Sequence, residues 1–163
     1  MKNKKKRGKA GAFALLLCLG LLLASCGRGY ATATEYFEKI AKAETLLPYG
    51  AWYFENKAPW EEGYLDESLE KAFFGERKIK PESLRLFLSS EEKPFELAFV
   101  TCYTYKEADS VAALLSARLS FLQKSAKESG GASLDGGFVL LRGRTVLYVA
   151  AASADKICSA LGV

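Results

Sequence analysis

The sequence predicts an α+β domain built on one mainly antiparallel four-stranded sheet, with helices packed on one face. Two pairs of β-type runs are each short enough to close as a hairpin, and a long amphipathic run separates the pairs. Shorter helical runs precede and follow them. The chain has 163 residues, of which the first 25 are assigned below to a signal peptide. The remainder has an ordinary length for a single domain.

Two helices are expected before the first strand. Thr32 and Glu35 form the T-x-x-E pattern of a capping box, and the apolar residues beyond them predict a helix from about Thr34 to Leu46. Asp66 is typical of an N-cap and opens a short helix that should end at Gly75.

The four predicted strands form two hairpins. Leu84 to Ser89 and Phe95 to Tyr103 alternate along the chain and should pair with each other. Phe138 to Leu141 and Thr145 to Ala152 are β-type runs joined by Arg142-Gly143-Arg144, which predicts the second hairpin.

The longest helix is predicted between the hairpins. Thr104 and Glu107 form a second capping box, and Gly130 stops the helix. Ser153 is expected to cap a last helix, Ala154 to Leu161. The apolar face of the long helix comprises Ala108, Val111, Leu115, Leu119, Leu122 and Ala126.

The segment from Pro48 to Tyr64 is rich in aromatic residues and contains both tryptophans of the chain. It lacks periodicity and is punctuated by proline and glycine, so it is interpreted as a loop. Its rings are open to three interpretations: core at the open end of the sheet, residues resting at a membrane interface, or a sugar-stacking surface. The candidate ligand-binding residues are Trp52, Tyr53, Trp60 and Glu61.

The first 25 residues are predicted to be a signal peptide. Six basic residues and no acid lie within the first nine positions, and an apolar run follows from Ala10 to Ala24. Fifteen helical residues span roughly 22 Å, which is short of the ~30 Å hydrocarbon core of a bilayer. A removed signal therefore fits better than a permanent transmembrane helix.

The end of this run, Leu23-Ala24-Ser25-Cys26, resembles the lipobox of bacterial lipoproteins. The resemblance implies cleavage between Ser25 and Cys26 and a diacylglycerol thioether on the Cys26 sulfur. The expected organisation is a cleaved signal (1–25), a lipidated cysteine with a short tether (26–33) and an extracytoplasmic domain (34–163). The protein is then expected on the outer side of the cell membrane, anchored by lipid.

Removal of the signal changes the charge of the working protein. The formal net charge falls from +4 to −2, because the first 25 residues carry six positive charges and no negative ones. A nucleic-acid partner is excluded, since a phosphate-binding domain needs a basic patch of its own.

Few reactive residue types are present. The chain has no histidine, which excludes Ser-His-Asp and Cys-His arrangements, and it contains no GxGxxG, P-loop or CxxC pattern. No catalytic residue, cofactor or metal site is therefore predicted. Paired carboxylates are the one remaining catalytic device, and more simply they are a solvated charged loop. The acids concerned are Glu55, Glu61, Glu62 and Asp66.

Two further features allow more than one interpretation. Cys102 and Cys158 could pair in an oxidising compartment, or each could be a small buried hydrophobe. Arg142 and Arg144 could bind an anionic headgroup or wall polymer, or simply be a soluble turn.

Five short motifs of the domain carry a family resemblance: Glu96-Leu97-Ala98-Phe99-Val100, Glu107-Ala108-Asp109, Val139-Leu140-Leu141-Arg142-Gly143, Tyr148-Val149 and Ser153-Ala154-Asp155-Lys156. With these motifs the domain resembles a family of small Gram-positive lipoproteins grouped as a domain of unknown function. The resemblance covers about Tyr64 to Leu161 and implies a lipoprotein and this fold, with no known activity. The Gly-rich segment before Phe138 is shorter than in that family.

These observations predict a non-enzymatic lipoprotein whose membrane-proximal domain binds a protein partner in the cell envelope. The alternative is a lipoprotein that binds glycans or cell-wall fragments through the aromatic segment Tyr49 to Tyr64.

Overall fold

The structure, a computed structural model, describes residues 30–76 and 79–163. The predicted signal peptide, the lipobox cysteine and the first part of the tether lie outside the described residues. In chain order the elements are α1 (Ala33–Ala41), a 3-10 turn (Glu44–Leu46), β1 (Gly50–Phe54), α2 (Glu67–Phe74), β2 (Ser83–Ser89), β3 (Glu96–Thr101), α3 (Tyr105–Ser129), β4 (Phe138–Arg142), β5 (Thr145–Ala150) and α4 (Ala154–Leu161).

The strands form one antiparallel sheet in the order β1-β2-β3-β5-β4. The α+β class and both predicted hairpins, β2–β3 and β4–β5, are confirmed. The four-stranded prediction is wrong, because the sheet has a fifth strand. That strand, β1, comes from the aromatic segment that the sequence analysis assigned to a loop.

β1 escaped prediction because both of its sides are covered. Trp52 and Tyr53 are neighbours on the strand, so their side chains point to opposite faces, and each packs against the core of its own face. The alternation of polar and apolar residues that marks a half-exposed strand is therefore absent. The outer edge is partly closed by the returning loop, where the Phe54 N–H donates to the Gly63 carbonyl oxygen at 2.7 Å.

Helices pack on both faces of the sheet, and the prediction of helices on one face is wrong. On β3, Leu97 and Phe99 face α1 and α4, whereas Ala98 and Val100 face α2 and α3. Every residue of β5 is buried. Strands that are apolar at consecutive positions need cover on both sides, which a single helical layer cannot supply.

Both predicted capping boxes are present. The Thr32 hydroxyl accepts from the Glu35 N–H, and the Glu35 carboxylate accepts from the Thr32 N–H. Thr104 and Glu107 make the same reciprocal pair at the start of α3. α1 ends at Ala41, earlier than expected, and a separate 3-10 turn follows it.

The other helix ends agree with the sequence in position. The Asp66 carboxylate accepts from the Leu69 N–H at 2.7 Å, and Gly75 ends α2 at a φ of 78°. α4 has the predicted bounds, but Ser153 makes no side-chain capping hydrogen bond. Its backbone is outside the extended region in which a cap hydroxyl reaches the first turn.

Candidate functional site

Of the predicted ligand-binding residues, Trp52 is part of the core on the α1 side of the sheet. Its ring centroid lies 4.9 Å from Phe37, 5.3 Å from Phe87 and 6.0 Å from Phe99. Edge-to-face contacts of this kind stabilise aromatic clusters. The indole is therefore half-buried against this aromatic cluster.

Tyr53 lies on the opposite side of the sheet. It packs against the cluster that contains Phe73, Leu86 and Leu115, under α2 and α3. The sheet separates it from Trp52, so the two rings do not form one stacking platform.

Trp60 lies in the loop between β1 and α2 and is 86% exposed. The carboxylate of the adjacent Glu61 accepts from the Ala58 N–H at 2.7 Å, and its other oxygen lies 3.7 Å from the Lys57 ammonium. Glu61 thus holds the shape of its own loop. Of the four predicted ligand residues, Trp60 alone presents an open aromatic face.

A cleft of about 370 Å³ lies between this loop and α2. Glu55 and Glu70 line it, together with Lys57, Tyr64 and Lys80. Burial and the negative charge of Glu70 both raise the pKa of Glu55. The cleft therefore holds a carboxyl group that accepts a proton more readily than a solvated glutamate does.

The carboxylates predicted as a pair are put to separate uses. Asp66 caps α2, Glu61 bonds within its loop, Glu62 is exposed, and only Glu55 lines the cleft. The acids that line the cleft with Glu55 are Glu67 and Glu70 of α2, and neither was predicted from the sequence. The available signal for Glu70 was its position on α2, one helical turn after the capping residue Asp66.

The most strongly interacting polar cluster is Glu96, Arg118 and Tyr148, on the α2 and α3 side of the sheet. Arg118 donates two hydrogen bonds to Glu96, at 2.7 and 2.6 Å, and the Tyr148 hydroxyl donates to the same carboxylate at 2.8 Å. The guanidinium also stacks over Phe73, 4.2 Å from the ring centroid. This geometry is bidentate and largely closed to water, so it fixes the three elements that carry the residues.

The protonation states in this cluster follow from its geometry. Burial disfavours the charged form of Arg118, but the hydrogen bonds and charge of Glu96 outweigh it, and the pKa of the guanidinium is raised. Burial and the Glu96 charge also raise the pKa of Tyr148. Both residues therefore keep their protons as donors to Glu96.

This cluster was not predicted from the sequence, although a signal was present. Arg118 falls three residues after Leu115 and four before Leu122, which places it at the margin of the apolar stripe of α3. A charge there needs a partner, and Glu96 is the acid that begins the apolar strand β3.

One end of the sheet, here called the Gly143 end, consists of the β4–β5 turn, the start of β2 and the end of β3. The chain enters the domain there. The Tyr30 ring lies on Gly143, where a Cβ atom would overlap the ring. The Ala33 N–H donates to the Thr101 hydroxyl at 2.8 Å, and that hydroxyl lies 3.2 Å from the one of Thr145. The first residues described are thus fixed to the sheet.

The two arginines of the predicted turn have different roles. Arg144 donates to the Glu82 carboxylate at 2.8 Å and to the carbonyl oxygens of Cys102 and Tyr103 at 2.9 and 3.1 Å. It joins β2, β3 and β5 at the Gly143 end. Arg142 is exposed at the end of β4.

Cys102 and Cys158 are both free thiols. Cys102 is buried on the α2 and α3 side, where burial first, and then the negative charge of Glu107, raise its pKa to about 11. Cys158 lies on α4, which covers the other side of the sheet, and its S–H donates to the Val163 carbonyl oxygen at 2.8 Å. Cys102 is therefore a small buried hydrophobe that resists ionisation.

Comparison of the chain with protein-family models, with curated proteins and with solved structures finds no match. The resemblance to the family of small lipoproteins accordingly stays a prediction. Across residues 30–76 and 79–163, no helix combines the length and apolar character that a membrane crossing requires. Within those ranges, no three histidine, cysteine or acidic side chains come together in a way that could hold a metal ion.

Proposed function

We propose that this chain is a lipid-anchored, extracytoplasmic interaction module, held at the outer surface of the cell membrane by Cys26 and serving a protein partner in the cell envelope. The lipobox pattern Leu23-Ala24-Ser25-Cys26 gives the anchor, and the domain from Tyr30 onward gives the module. Its resemblance to small Gram-positive lipoproteins agrees with this role.

The observation that carries the proposal is how soon the fold begins after Cys26. Tyr30 already packs on Gly143, and Ala33 is fully buried seven positions beyond the cysteine. A lipid on Cys26 would therefore hold the folded body itself at the membrane, without a long linker between them. Such placement suits a module that acts on membrane-associated components.

The chemistry of the described residues supports an interaction role. The ion pairs Glu96 with Arg118 and Glu82 with Arg144 join elements of the fold. Asp66, Glu35 and Glu107 cap helices. These charged groups stabilise the scaffold.

Glycan binding through the aromatic segment receives less support. Sugar recognition uses adjacent open aromatic faces with a carboxylate beside them. Here Trp52 and Tyr53 pack on opposite faces of the sheet, and Glu61 is bonded within its loop. The two strongly exposed rings of the segment, Tyr49 and Trp60, are not adjacent in the chain, because one precedes β1 and the other lies in the loop after it.

The anchor can be tested by replacing Cys26→Ser in the full chain expressed in a bacterium that processes lipoproteins. Without the sulfur nucleophile no thioether can form. We expect loss of lipid labelling and either release of the protein or accumulation of the unprocessed precursor, measured by labelled fatty acid and membrane fractionation.

Cys18→Ser is the matched control, because it makes the same change inside the apolar run, eight residues earlier. It should leave both readouts unchanged. Lipid labelling that persists in Cys26→Ser would refute the anchor, and in-cell cross-linking of the wild-type protein that captures no envelope protein would refute the interaction role.

A further inference from the structure

We infer that the Gly143 end is a bilayer-docking surface, in which Tyr30, Tyr103 and Tyr105 enter the headgroup region while Arg142 meets lipid phosphate. This inference rests on the proposed anchoring at Cys26 and deepens it. It adds an orientation, because the Gly143 end of the domain lies against the membrane.

The length of the chain before the fold sets the geometry. Four residue steps separate Cys26 from Tyr30, and a fully extended chain covers about 14 Å in four steps. Since the Tyr30 ring lies on Gly143, the distance from Cys26 to the β4–β5 turn is at most this backbone span plus the reach of the two side chains. The occupant nearest to this surface is then the bilayer itself.

The side chains at this end suit a membrane interface. Tyr30, Tyr103 and Tyr105 are 64%, 61% and 68% exposed. Tyrosine has an apolar ring and a polar hydroxyl, and it is enriched at the headgroup level of membranes. Tyr103 belongs to the Gly143 end because its carbonyl oxygen accepts from Arg144, and Tyr105 begins α3 two residues later.

The charges at this end are compatible with lipid phosphate. Arg142 is exposed at the end of β4. The nearby acids are engaged: Glu82 pairs with Arg144, and Glu35 and Glu107 accept from the backbone N–H groups of their caps at 2.6 and 2.9 Å. A cation beside a layer of anionic lipid headgroups adds a modest attraction that falls off with distance from the surface.

The end of the sheet opposite to the Gly143 end provides an internal control. Tyr49 is 82% exposed, and its carbonyl oxygen accepts from the Ser90 N–H beside the β2–β3 turn, at the other end of the sheet. If Cys26 holds the Gly143 end at the bilayer, Tyr49 should face away from it. Exposed tyrosines are thus present both at the end expected to contact the bilayer and at the end expected to face water.

The experiment places a tryptophan reporter at each end of the lipidated full-length protein. Tyr103→Trp and Tyr49→Trp are made separately in a Trp60→Phe background and reconstituted into vesicles of phosphatidylcholine and phosphatidylglycerol, with and without brominated phosphatidylcholine. The signal of Trp52, measured in the Trp60→Phe parent, is subtracted from each spectrum. Because bromine quenches tryptophan on contact, we expect the Tyr103→Trp reporter to lose most of its remaining fluorescence and to shift to shorter wavelength. The Tyr49→Trp reporter should be unchanged.

Three outcomes are distinguishable. Mass analysis of the N-terminal peptide and co-flotation with vesicles report on the anchor, so a protein without lipid that does not float refutes the proposed function. A protein that floats but shows no quenching at Tyr103→Trp, or equal quenching at both ends, overturns the docking surface alone. If Tyr103→Trp fails to fold by circular dichroism, Tyr105→Trp serves as the reporter under the same criteria.

Discussion

Glu96 holds three groups at once, because its carboxylate accepts from two nitrogens of Arg118 and from the hydroxyl of Tyr148. The side chains of Arg118 and Glu96 are only 27% and 12% exposed. Removing one member of such a pair leaves the other desolvated and unpaired, which costs far more than the pair contributes as a whole.

Glu96→Ala should therefore destabilise the domain by about 3 kcal/mol, the low end of the range for breaking a buried ion pair, since Arg118 keeps some contact with water. Urea unfolding of the extracytoplasmic domain measures the change. Glu128→Ala is the control, because its 3.8 Å contact with Lys124 is exposed on both sides and should contribute about 0.5 kcal/mol or less. Equal effects of the two substitutions would contradict the role assigned to the cluster.

Glu55 predicts a dependence of stability on pH. Its pKa is raised in the folded state, so folding favours the protonated form. The associated stability is complete below the pKa of the unfolded chain and is lost as pH rises through the folded-state pKa. Glu55→Gln keeps the neutral shape at every pH.

The variant Glu55→Gln should therefore be more stable than the wild type at pH 7, and the difference should disappear towards pH 3. Midpoints of urea unfolding across that interval provide the measurement. Glu62→Gln, which changes an exposed acid of the same loop, should show no such trend. A wild type that gains stability over Glu55→Gln as pH rises would reverse the sign and refute the argument.

At the scale of elements, α3 and α4 make contrasting use of their N-caps. Thr104→Ala removes the hydroxyl that accepts from the Glu107 N–H at 3.2 Å and should cost about 1 kcal/mol. Ser153→Ala occupies the corresponding position of α4, where the hydroxyl makes no capping bond, and should have almost no effect. Thermal unfolding of the two variants compares them directly. A larger loss in Ser153→Ala than in Thr104→Ala would be incompatible with the caps described.

The same elements show what sequence patterns can predict. The caps at Thr32, Asp66 and Thr104 were predictable because their hydrogen bonds are local, within three residues. Ser153 has the right residue type, but its backbone dihedrals depend on how the chain leaves β5, which no local pattern encodes. β1 was missed for a similar reason, since the cover over Trp52 and Tyr53 comes from distant elements.

At the scale of the whole molecule, the second helical layer was implied by β3 and β5 and could have been predicted. Leu97 to Val100 and Val146 to Ala150 are apolar at consecutive positions. In a sheet with one solvent-exposed face, every second one of these side chains would be in contact with water. The candidate site was less predictable. That Trp52 packs against the aromatic cluster while Trp60 is exposed, or that Glu55 and Glu70 line one cleft, depends on the path of a loop whose residues carry no periodicity.

The contact of Tyr30 with Gly143 has a consequence for how partners are found. A domain held as proposed can rotate about the membrane normal and diffuse laterally in the membrane. Its tilt relative to the membrane is already restricted before any partner binds. A partner in the same membrane meets it in two dimensions and at high effective concentration, so less rotational and translational entropy is lost on binding. Contacts too small to hold a complex together in detergent solution would then suffice in the intact membrane.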